Sequence, residues 1–221
     1  MMKIIIYTFS LVLCANILLA QTNFEGVIIY HRTGTPAEGY DYANYDSREI
    51  HGIEKLYFKG NKIKIESEFL GRDSAILSVG YFDFDQYPNS SLVNYNEKGF
   101  KRKAYKKAAF DLVRDSLEKD QILGYSCNKI TSFSPGGSSL EKYVTDQIRF
   151  SLPDSSFYNG YFVTHADDRI PLRIIEKYNT PFSDSLVTFK REAVLVFPVD
   201  LPDSIFEVDE GELTETKTGT Q

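Results

Sequence analysis

The chain has no tryptophan, and only two cysteines and three histidines among its 221 residues. Cys14 falls in an apolar N-terminal run, so Cys127 has no partner for an internal disulfide in the rest of the chain. The fold must therefore rest on core burial, for which about 200 residues suffice in one domain. His31, His51 and His165 share neither an H-x-H nor a helix-turn spacing, so no metal site is expected. Basic residues are outnumbered, 25 to 31, for a formal charge of −6. That balance argues against nucleic acid as a partner. There is no G-x-S-x-G, phosphate loop or dinucleotide fingerprint, and Asp83 and Asp85 lack the rest of a calcium loop. The sequence thus offers no catalytic residue and no cofactor site, and it reads as a non-enzyme. Cys127, flanked by Ser126 and Asn128, is expected to be a buried, inert thiol.

The one long apolar run is at the start. Lys3 is the only charge in the first 20 residues. Ile4 to Leu19 is broken only by Thr8, Ser10 and Asn16, and Ala20 precedes Gln21. This pattern predicts a signal peptide over 1–20, cleaved after Ala20, and a periplasmic or secreted mature chain. No transmembrane segment is expected after cleavage. Residues 21–213 read as a single domain and 214–221 as a polar tail.

The full chain carries 16 Phe and 15 Tyr, and its body reads as strand, turn, strand. Phe24, Ile28 and Tyr30 alternate with Glu25, Val27 and Ile29, which predicts a strand buried on both faces near its middle. Residues 32–52 read as a long excursion. Glu54–Lys59, Gly60-Asn61 and Lys62–Glu66 predict a hairpin with Ile63 and Ile65 on one face and Lys62, Lys64 and Glu66 on the other. One dry and one wet face is an antiparallel pattern. Further runs at 75–79, 92–95, 100–105, 125–133, 140–150, 172–178 and 186–197 bring the total to roughly ten strands, enough for one large curved sheet or barrel. Residues 104–119 fit a strand or a helix, and 152–160 could cap a short helix.

Two surface patterns stand out. Lys101, Arg102, Lys103, Lys106 and Lys107 form a basic cluster, readable as a charged strand edge or as a docking patch for an acidic partner. Asp-Ser followed by an aliphatic residue or alanine occurs at Ser74, Ser116, Ser185 and Ser204. The pattern resembles the O-glycosylation acceptor of exported Bacteroidetes proteins, although Asp-Ser is also ordinary turn chemistry.

Three segments carry a family resemblance. Lys119–Ile130 (KDQILGYSCNKI) resembles the Gly-Tyr-x-Cys-x-Lys strand of exported Bacteroidetes proteins, with Gly124, Tyr125, Cys127 and Lys129 at the motif positions. Glu141–Pro153 is similar to the strand that follows it there. Leu201–Leu213 resembles their closing segment, with Asp209 where proline is common. The families are the LolA/LolB-like group and the related GLPGLI-type proteins; the GLPGLI motif itself is absent, and 160–172 stands where it would fall. The resemblance implies a mainly β fold, a half-open β-barrel made of one curved antiparallel sheet with few short helices. It also implies a concave apolar face that can carry acyl chains.

Ile63, Ile65, Tyr143, Ile148, Ile174 and Phe189 are the candidates to line that face. The expected function is non-catalytic binding of a lipid, acyl chain or other apolar ligand in the envelope. The alternative is an envelope scaffold that binds a protein through a surface patch, with Tyr40, Tyr42 and Tyr45 as candidates, over a filled core.

Overall fold

A computed structural model describes residues 23–35, 51–70, 75–95, 99–104, 112–133, 138–153, 162, 167–180 and 183–208. Eleven strands account for most of them: β1 (Gly26–Thr35), β2 (His51–Lys59), β3 (Lys62–Leu70), β4 (Ala75–Asp83), β5 (Ser90–Tyr95), β6 (Phe100–Ala104), β7 (Leu112–Ile122), β8 (Tyr125–Phe133), β9 (Ser139–Arg149), β10 (Arg169–Thr180) and β11 (Ser183–Pro198). They form one open sheet in the order β6-β5-β4-β3-β2-β1-β11-β10-β9-β8-β7, antiparallel throughout. Two meanders thus meet at the β1–β11 seam. Among the described residues the only helical turn is a 3-10 turn at Asp203–Phe206, and no helix is long and apolar enough to cross a membrane.

Connectivity alone forces this sheet to bend. Strands β6 and β7 are consecutive in sequence but lie at opposite edges. Ten gaps of about 4.8 Å would set the edges of a flat sheet roughly 48 Å apart. The link from Ala104 to Leu112 reaches about 29 Å at most. The sheet therefore curls. Ring contacts across it say the same: Phe58 on β2 lies 5.5 Å from Phe150, just past β9, although three strands separate β2 from β9.

The core fills one end of the concave side. Phe24, Phe58, Phe150, Phe84 and Phe82 form a continuous row of ring contacts at 5.5–6.3 Å. Ile28, Leu56, Ile170 and Leu172 pack with them at zero exposure. Tyr30, also fully buried, meets the Phe162 ring at a tilt, 5.0 Å between centroids, and donates its hydroxyl to the Pro171 carbonyl at 2.8 Å. Burial, and secondarily Glu54, push that phenol well above its ordinary range.

The turns follow local chemistry. Lys59 pairs with Lys62 around Gly60-Asn61, and Gly60 takes φ 53° as a two-residue hairpin requires. Leu123 and Gly124 turn β7 into β8 with φ 52° and 84°. A left-handed leucine is costly because its Cβ crowds the carbonyl, and Leu123 is half exposed, so its side chain recovers little. Leu123→Asn should raise stability by about 1 kcal/mol; an unchanged or lower urea midpoint would contradict this reading.

Several boundaries differ from the sequence expectation. Residues 32–35 and 51–52 continue β1 and β2 instead of belonging to an excursion, because Arg32↔Gly52 and Thr33↔His51 still pair. Val27 and Ile29 are half-buried on the convex side, so only alternate residues of β1 enter the core. Residues 112–119 are strand, since they pair with β8; 105–111 and 154–160 lie outside the described residues, as do 1–20 and 214–221.

Candidate functional site

The other end of the concave face is charged. Cross-strand partners share a face, and the register sets Tyr30 beside Glu54, Arg32 beside Arg191, Arg191 beside Ile174, and Ile174 beside Lys142. Phe189 sits beside Glu176. Arg32, Glu54, Arg191, Glu176 and Lys142 thus occupy five adjoining strands. Glu54, Lys142 and Arg191 are buried. Arg191 Nε donates to Glu54 at 3.0 Å, and its Nη1 lies 3.7 Å from Glu176. Arg32 approaches Glu54 at 3.6 Å and lies over the Phe189 ring at 5.2 Å. Burial pulls the Lys142 ammonium down to about 8, against an opposing pull from Asp167. The sequence signal for this ladder is thin: Glu54 and Lys142 stand in strands whose alternation puts them on the dry face.

The lining candidates divide. Ile174 and Phe189 lie at the charged end, with Ile174 fully buried, whereas Ile65 is half-buried beside Leu56 and packs against the core. Ile63 and Ile148 belong to the ring-packed end. Tyr143 departs from its expected place. It pairs with Arg173 and Lys129, one position out of step with Lys142, and so faces away from the ladder. Its hydroxyl donates to Glu118 at 3.0 Å, and Arg173 and Lys129 lie over its ring at 5.1 and 5.9 Å.

That face explains the four motif residues structurally. Gly124 supplies a positive φ, and Tyr125 packs against the core. Lys129 bridges Glu118 at 3.0 Å and Glu141 at 3.2 Å, which raises its ammonium pKa. Arg173 bridges Asp120 and Glu192 beside it, and Lys177 holds Glu141 at 2.8 Å. Cys127 is fully buried, and its thiol donates to the Tyr125 carbonyl at 3.6 Å. Burial first, then the Asp120 charge, push it up to about 11. Iodoacetamide at pH 8 should leave Cys127 unmodified in the folded protein and label it readily in urea; fast labelling of the native state would overturn the assignment.

His31 and His51, unpaired by spacing, are brought together by the sheet. Their rings stack at 6.0 Å across β1 and β2. Among the described residues no group of three or more metal-binding side chains forms. The basic cluster lies on edge strand β6, where Lys101, Arg102 and Lys103 are exposed, as a protected edge requires. Lys106 and Lys107 lie outside the described residues, as do Ser74, His165, Tyr40, Tyr42 and Tyr45. Ser204 is exposed on the 3-10 turn. Ser116 is half-buried and accepts the Glu118 N–H at 3.0 Å; Ser185 lies on β11.

No protein-family profile matches the chain, and no curated protein does. Two solved structures are similar in outline. An uncharacterized conserved protein from Thermus thermophilus is 10% identical, with 90% of this chain and 95% of that one covered, at a TM-score of 0.47. PNGF-II is 16% identical at a TM-score of 0.40; 87% of this chain is covered, but only 31% of PNGF-II. Neither likeness carries an argument about this chain.

On the convex side an apolar strip runs over the β1–β11 seam. Phe197 pairs with Val27 and Leu195 with Ile29, and Val194, Leu195 and Phe197 are 54%, 45% and 55% exposed.

Proposed function

We propose that the chain is an exported, non-catalytic envelope protein that binds an amphiphile at the charged end of its concave face. The acyl chain or other apolar body lies against Ile65 and Phe189, over the fully buried Ile174, and the polar end meets the Arg32–Glu54–Arg191–Glu176–Lys142 ladder. The observation that carries this reading is the division of one concave face into a ring-packed end and a charged end. Buried ion pairs seldom raise stability over an apolar replacement. Five charged side chains on adjoining strands are therefore better accounted for by binding than by folding. The resemblance to the LolA/LolB-like group, whose half-barrels carry acyl chains, points the same way, and the signal-like N-terminus supports export.

A fluorescent fatty acid added to the purified mature protein tests this. Its emission should rise on binding, reverse with unlabelled oleate, and require about tenfold more protein in Arg191→Met. No response in the wild-type protein would defeat the reading.

A second reading, an envelope module that docks a protein partner, is favoured by the exposed Val194, Leu195 and Phe197 strip. It predicts that Leu195→Asp with Phe197→Asp abolishes cross-linking to envelope proteins while fatty-acid binding persists.

A further inference from the structure

A pocket lies on the opposite, convex side, where the segment after β11 returns across the sheet. Lys59 anchors that segment through its ammonium, which donates to the Leu201 carbonyl and pairs with Asp200 at 3.4 Å and Asp203 at 3.3 Å. Phe206, which ends the 3-10 turn, and Glu207 and Val208 after it form one wall of a cavity of about 230 Å³. Tyr81, Tyr87, Asp83 and Gln86 line the rest of it, together with Lys62 and Leu92.

Three rings, Tyr81, Tyr87 and Phe206, alternate with an amide and two carboxylates. The tyrosines are braced from outside the cavity. Arg102 lies 4.2 Å over the Tyr87 ring, and Phe100 meets Tyr81 edge-on at 5.3 Å. Asp83 is fixed as well, since its Oδ1 accepts the Asp85 and Gln86 N–H groups at 3.1 and 3.0 Å and Lys62 approaches Oδ2 at 3.6 Å. Rigid rings with preset polar groups lower the cost of binding.

We infer that this convex pocket binds a single neutral sugar ring. Apolar ring faces suit the C–H face of a pyranose, and the Gln86 amide and the Asp83 and Glu207 carboxylates suit its equatorial hydroxyls. Pairing of Lys62 with Asp83 leaves no surplus positive charge for an anion. The volume falls below the roughly 300–1,000 Å³ of sites for drug-sized ligands, which limits the buried part to one ring. The site is separate from the concave ladder, so it stands or falls independently of the amphiphile reading.

Saturation-transfer NMR on the mature protein tests it with methyl glucoside, methyl galactoside, methyl mannoside and N-acetylglucosamine. At least one should show transfer strongest at its ring C–H protons. Gln86→Ala, an exposed-residue change that leaves the fold intact, should weaken that sugar about tenfold. Tyr87→Ala should abolish transfer while circular dichroism is unchanged. Absence of transfer from all four sugars, or binding unaffected in Gln86→Ala, would overturn the inference.

Discussion

Gly26→Ala should destabilise this protein by about 3 kcal/mol or more, a large effect for the addition of one methyl group. Gly26 opens β1 at φ 144°, where L side chains are strained. A Cβ there would lie 2.3 Å from the Phe197 carbonyl oxygen and 2.9 Å from the Pro198 Cα. Both are backbone atoms of the seam strand, so neither can rotate away. Moving them would strain the β1–β11 ladder, where the two meanders meet. Gly124 gives the control. It also has a positive φ, 84°, but nothing lies within 4 Å of its Cβ position. Gly124→Ala should cost only the conformational part, about 1–2 kcal/mol. Equal urea midpoints for the two variants would show that the seam is looser than described.

Glu54→Ala should cost about 3–5 kcal/mol, because it takes from the buried Arg191 and the half-buried Arg32 the carboxylate that joins them. The double change Glu54→Leu with Arg191→Met should recover most of that loss, since apolar replacements of buried pairs are near neutral. The informative outcome combines stability with binding. A double variant that folds well and no longer takes up a fatty acid would separate the ladder's role in binding from any role in stability. Full stability in Glu54→Ala would mean that the pair is solvated.

Much of this fold was legible in the sequence. The hairpin at Gly60-Asn61, the strands around Asn96–Gly99 and Pro135–Gly137, and the long pair β10–β11 follow from alternation and turn residues. So does the curvature, once β6 and β7 are known to lie at opposite edges, but that order cannot be read from local pattern. The charged ladder was hidden for a related reason. A charged residue in an alternating strand reads as solvent-facing until the register places it. Tyr143 shows the converse: four successive buried residues, Lys142, Tyr143, Val144 and Thr145, erase the alternation, and the aromatic went to the convex side with Lys129 and Arg173. The convex pocket joins β3, β4, β5 and the C-terminal segment, positions that nothing in the sequence brings together.

Native mass spectrometry of the protein purified from envelope without delipidation bears most directly on the binding role. A bound amphiphile should be retained by the wild type and be absent from the Glu54→Leu, Arg191→Met variant. A ligand-free wild-type chain, or the same bound species in both proteins, would contradict that role.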